Sequence, residues 1–165
     1  MNAIQAIQAA AASSDRVLKS YVGDLTDAEL LERPHAECNC IAWQLGHLVV
    51  SQWGLLKMLK PDVVPPELPA GFAEKHARDN TDRNNPEGFW TKDEYLALYD
   101  AARTATIEVL GGISEADLDA PNPFERFREV FPTVGSMYLL AATHPMMHAG
   151  QFVPVRRELG KPVVI

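Results

Sequence analysis

The sequence predicts an all-α fold, a four-helix bundle with a long crossover between the second and third helices. Three observations lead there. Apolar residues recur at three- and four-residue spacing over residues 2–22, 40–60, 91–110 and 133–159, the period of one helix face. These stretches open on residues that cap helices and close on glycine or proline. No strand-like alternation, internal repeat or low-complexity tract lies between them. With 165 residues, 47% of them hydrophobic, the chain can build one core, and residues 1–165 are read as one domain.

Ile4, Ile7, Ala11, Ser14, Leu18 and Tyr21 draw the first helix, which Gly23 ends. Thr26 to Glu29 has the pattern of a capping box, in which a hydroxyl and a carboxylate three residues apart each accept from the other's backbone N–H. Leu30 and Leu31 follow it, and Pro34 restricts this helix to a turn or two. Asn39 is the expected N-cap of the second long helix, and Pro61 stops it. Its main stripe is Ile41, Leu45, Leu48, Leu55, Leu56 and Leu59. Trp43, Val50, Trp53 and Met58 spread apolar surface around most of the circumference, so this helix should be largely buried.

Residues 61–90 hold five prolines and a polar run from His76 to Asn85 with no periodicity; Phe72 to His76 allows one helical turn. A connection this long is either a solvated crossover or a lid or binding loop. Thr91 to Glu94 is a second capping box, opening a helix marked by Tyr95, Leu98, Ala102 and Val109 and closed by Gly111 and Gly112. Ser114 to Asp117 starts a short turn, Pro121 and Pro123 break the chain, and Phe124 to Arg128 carries no assignable pattern. Thr133 caps the last long helix, with Gly160 and Pro162 as its stop signals.

The formal charge of −7, with no Lys/Arg block, has the wrong sign for nucleic acid as a partner. Cys38 and Cys40, one residue apart, are poorly spaced for a disulfide and read as small apolar residues at a helix start in a reducing compartment. A helix N-terminus beside Cys40 would depress its thiol pKa. The Ala-rich beginning lacks the Lys or Arg that precedes a signal-peptide core. No stretch approaches the roughly 20 apolar residues of a membrane span, so a soluble, cytoplasmic protein with no membrane partner is expected.

The chemistry concentrates at Thr143 to Gln151. His144 and His148 stand four residues apart, hence on one helix face, together with Met137, Leu140, Ala141, Gln151 and Val155. Two imidazoles on a core-facing stripe are costly unless something satisfies them. His47, on the second helix beside Cys40, Trp43, Ser51, Gly54 and Met58, is the candidate third partner. Three neutral imidazoles on one side of a metal ion leave its other side open, the arrangement of a catalytic rather than a structural site. Zinc, nickel, iron and copper all suit imidazole. For each histidine the plainer alternative is a hydrogen-bonded core residue. Trp43, Ser51 and Gln151 are candidates to line the pocket or support the ligands. His35 and His76 are expected at the surface. The metalloprotease pattern His-Glu-x-x-His fails, because Pro145 stands where its general base would be. Pro145 also cannot donate to the carbonyl of Ala141, a defect worth about 3 kcal/mol in a plain helix, and Pro154 deprives Gly150 likewise. A kink or bulge in the last helix is the expectation.

Asn39-Cys-Ile-Ala-Trp-Gln-Leu-Gly-His47 resembles the helix-two signature of the DinB-like (DinB/YfiT-type) superfamily. His144-x-x-x-His148-x-Gly-Gln151, followed by Arg156-Arg-Glu-Leu-Gly160, resembles its helix-four signature. The resemblance implies an up-down-down-up bundle, a homodimer, and His47, His144 and His148 as ligands of a divalent metal, nickel or zinc before iron. It also implies a transferase or isomerase acting on a low-molecular-weight thiol and an electrophile. The alternatives are a metal-binding or dimeric stress protein without catalysis, and a chain in which Pro145 has cost the site its metal.

Overall fold

The computed structural model describes residues 1–80, 83 and 85–164, and among these the regular structure is helical throughout. Four long helices, α1 (Ala3–Val22), α2 (Ile41–Leu59), α4 (Lys92–Gly111) and α6 (Val134–Glu158), are joined by segments that include the single turns α3 (Phe72–Lys75) and α5 (Glu115–Leu118). Two further 3₁₀ turns lie at Glu29–Leu31 and Glu125–Phe127.

The caps follow the sequence closely. Asn2 and Gln5 close a reciprocal box at the start of α1, as do Thr91 and Glu94 for α4, Ser114 and Asp117 for α5, and Thr133 and Ser136 for α6. Thr26 and Glu29 exchange the same pair of hydrogen bonds ahead of the 3₁₀ turn. One cap differs. Cys40, not Asn39, is the N-cap of α2: its Sγ accepts from the Trp43 N–H at 3.4 Å, and the Asn39 Oδ1 is enclosed without a hydrogen-bond partner among the described residues. Sulfur is a weaker acceptor than an amide oxygen, so cap preferences alone favour Asn39; burial of the thiol in the core decides for Cys40.

α1 packs on α6 along its length and touches α4, while α2 packs on α4 and α6. The main core gathers Leu18, Tyr21, Leu45, Leu48, Leu56, Tyr95 and Phe152. A smaller cluster of Ile7, Ala11, Leu110, Leu118, Tyr138 and Ala142 fills one end. Of the 19 residues of α2, 12 are buried, which matches the apolar surface running around that helix. At the far end of α6, the buried Arg156 grips Asp24 through two nitrogens and also donates to the Tyr21 and Pro162 carbonyls. These bonds tie the last turn of α6 to the chain leaving α1. Among the described residues no helix is long and apolar enough to cross a membrane.

The crossover is anchored, and its anchor corrects the sequence reading of His76. That side chain is fully buried rather than exposed. Its Nδ1 bonds the Phe72 carbonyl at 2.7 Å and its Nε2 the Tyr95 hydroxyl at 2.8 Å, with Phe72, Phe89 and Trp90 around the ring. The polar neighbours of His76 in sequence gave no sign of this, because the apolar partners come from α3 and from the stretch entering α4. Gly46 of α2 makes the fit possible, since a Cβ there would sit 2.2 Å from His76 Cδ2.

Candidate metal centre

α2 and α6 bring His47, His144 and His148 together, with one ring nitrogen of each lying within 4.8 Å of the others. The ring centroids are 4.8 Å apart for His144 and His148, 5.4 Å for His47 and His148, and 5.6 Å for His47 and His144. His47 and His148 are buried and His144 half-buried. Burial is the leading cause holding all three below the ordinary histidine pKa, His144 at about 4 and His148 at about 3. At His47 a hydrogen bond to the His76 backbone acts the other way, and at His148 the neighbouring His144 adds to the depression. At neutral pH all three rings are therefore uncharged, the form in which imidazole offers a lone pair.

Supporting contacts set the orientation of two of the rings. Nδ1 of His148 bonds Gln44 Oε1 at 2.8 Å. An amide oxygen only accepts, so the proton sits on Nδ1 and the Nε2 lone pair is directed elsewhere. It faces Nε2 of His144 at 3.1 Å. Two imidazole nitrogens each about 2.0–2.1 Å from one ion are separated by about 3.0–3.4 Å, so this edge has the right length for a shared metal. The Trp43 indole stacks on His47 at 4.9 Å with the planes 6° apart, and Ser51 Oγ lies 3.2 Å from His47 Nε2. Among the described residues no acid is hydrogen-bonded to His47 to complete a triad with Ser51.

The proline in the ligand-bearing helix has a specific compensation. α6 remains α-helical through Pro145 and Pro154. The Ala141 carbonyl, which Pro145 cannot serve, accepts from Arg103 Nη1 at 2.5 Å, and Arg103 Nη2 reaches the Ala11 carbonyl at 3.2 Å. Arg103 is buried, and its Nε lies 2.8 Å from Asp15 Oδ1. This is a charge contact rather than a hydrogen bond, since the Nε–H itself has no acceptor; the same oxygen takes the Tyr99 hydroxyl. Gln52 adds a long contact at 3.4 Å and is itself held to Thr106 at 2.7 Å. One arginine of α4 thus restores the acceptor balance of α6 beside the two histidines. The carbonyl freed by Pro154 belongs to Gly150, at an exposed position open to solvent.

The histidines form one wall of a cavity of about 690 Å³, within the usual size of small-molecule sites. Trp43, Ser51, Gly54 and Met58 line it as the α2 flank predicted, and Gln151 does so from α6. The sequence reading missed Gln44, Arg78, Phe127 and Phe131. Gln44 alone left a trace, as a polar residue buried one turn before His47 in an otherwise apolar helix. Phe127 and Phe131 come from the stretch that carried no pattern, and Arg78 from the crossover. His35 is exposed, as expected. Cys38 is exposed and Cys40 buried, both as free thiols. The expected depression of the Cys40 pKa is reversed: burial pushes the thiol up, outweighing the hydrogen bonds from the helix start.

The fold and this geometry define a protein whose described structure is all-helical, with two buried imidazoles and one half-buried that could hold a metal ion. The sequence profile of the DinB superfamily matches residues 11–152, and the chain belongs to that superfamily. No curated protein and no solved structure matches it.

Proposed function

We propose that His47, His144 and His148 hold a divalent metal ion and that the protein is a metal-dependent enzyme, a transferase using a low-molecular-weight thiol. The observation that carries the metal reading is the pair of Nε2 atoms of His144 and His148 at 3.1 Å, with the Nδ1 of His148 committed to Gln44. The likeness to the superfamily points to nickel or zinc, with iron as the alternative, and neutral imidazole donors suit each of them. Bound there, such an ion supplies Lewis acidity and lowers the pKa of a thiol or water beside it. The protein's own part is placement. Gln44 fixes the His148 tautomer, Trp43 holds the His47 ring by stacking, and the apolar wall of Leu55, Met58, Phe127 and Phe131 excludes water from an electrophile.

The ring of contacts among the four long helices supports reading them as the up-down-down-up bundle of the superfamily, in one domain. A homodimer and a cytoplasmic setting complete the proposal; light scattering at micromolar concentration tests the first. Elemental analysis of protein purified without a metal-affinity tag tests the metal, and it should find near-stoichiometric nickel or zinc. His148→Ala should lose that metal while its helical circular dichroism stays near the parent's. Full occupancy in the variant would remove the assignment. Turnover across a panel of thiols and electrophiles separates the enzyme from a metal-binding protein without catalysis.

A further inference from the structure

The cavity's charge carries an inference beyond the metal. Among the described residues that line it, Arg78 is the one formally charged side chain; the others are apolar, neutral polar, or the three neutral histidines. Among the described lining residues no carboxylate offsets this charge, although the chain as a whole carries −7. A cationic side chain at the cavity of an acidic protein is a local reversal of the field. The position of Arg78 is set by the fold. It stands two residues after His76, whose hydrogen bonds to the Phe72 carbonyl and the Tyr95 hydroxyl, and whose seat against Gly46, bring the crossover to the cavity. It lines the same cavity as His47, His144 and His148. Phe127 and Phe131 line the same cavity.

We propose that Arg78 is the anion-binding residue of this cavity, and that its ligands are small molecules with an apolar or aromatic body and one oxyanion end, carboxylate or phosphate. This rests on the reading of the cavity as the functional site, but not on the metal. The guanidinium suits both anions, because its fork of N–H donors matches two oxygens at once.

Three probes of one body test it by calorimetry: 1-naphthylacetate, 1-naphthyl phosphate and the neutral 1-naphthaleneacetamide, each titrated into metal-free and nickel-loaded protein. The metal-free arm decides, since there no ion can attract the anion. At least one anion should bind metal-free wild type about tenfold more tightly than the amide, as expected for a charge-assisted hydrogen bond. Whichever anion leads identifies the class. In Arg78→Gln that preference should vanish with amide binding unchanged, and Arg78→Lys should keep part of it. Both variants change an exposed residue, and unchanged circular dichroism verifies their fold. The proposal is overturned if wild type shows no preference or binds none of the probes, or if the preference survives in metal-free Arg78→Gln. Failure to take up nickel would instead count against the metal reading and leave the metal-free comparison intact.

Discussion

Gln44 shows how much of the site depends on one side chain that is no ligand itself. Its Oε1 fixes which nitrogen of His148 carries the proton. Gln44→Leu keeps the bulk and removes the acceptor, so nickel or zinc affinity should fall about 10- to 100-fold with the helices intact. A competition titration with a chelator measures it, and an unchanged affinity would show that the 2.8 Å bond does not orient the ring. Gly46 is the second sensitive position. Alanine there drives a Cβ into the His76 ring at 2.2 Å, and neither α2 nor the doubly bonded imidazole has room to move. The expected loss is about 1–3 kcal/mol in urea unfolding, as for other overpacked cores, and it should shrink in the Gly46→Ala, His76→Ala double variant. Two equal losses would mean that the clash is relieved some other way. At this scale the three histidines were legible from spacing and from the faces they occupy. Gln44 and His76 were not, because their roles depend on partners 104 and 19 residues away.

Among the elements, α6 carries the sharpest conflict between local rule and observed structure. A proline one residue after a ligand histidine removes a backbone donor in mid-helix, yet α6 runs on from Val134 to Glu158. The conflict is resolved by α4. The missing N–H leaves the Ala141 carbonyl open, and Arg103 fills it while also meeting Asp15 and the Ala11 carbonyl. Arg103→Met should therefore cost about 3–5 kcal/mol, the range for breaking a buried charge contact from one side. Pro145→Ala gives Ala141 a second, backbone donor. The two changes should be coupled by more than about 1 kcal/mol, with the arginine mattering less once the proline is gone. Additive urea midpoints in that cycle would show that Arg103 serves only Asp15 and Ala11. The caps at Thr91 and Thr133, by contrast, were readable from sequence, since each is set by side chains within one turn of the helix start.

For the molecule as a whole, the buried histidines make stability depend on pH. Burial lowers His76 and His144 to about 4 and His148 to about 3, from 6.5 in the unfolded chain. Between those limits the unfolded state binds more protons, so stability falls as pH falls. The contribution is complete above pH 6.5 and is lost towards pH 4; for His76 alone it is on the order of 3 kcal/mol. Urea midpoints of the metal-free protein should be level above neutrality and decline steadily through this window. A midpoint that holds constant down to pH 4 would mean these rings are far better solvated than their burial indicates. The sequence by itself determined the four long helices, the caps of α4 and α6, and a histidine pair on an inward face with His47 to match, because periodicity and capping are encoded within a few residues. Tertiary structure alone decided that Arg103 answers Pro145, that His76 pins the crossover against Gly46, and that Arg78, Phe127 and Phe131 line one cavity with the histidines. Those pairings join segments far apart in the chain, and burial and hydrogen bonding between such segments leave no periodic mark on either one.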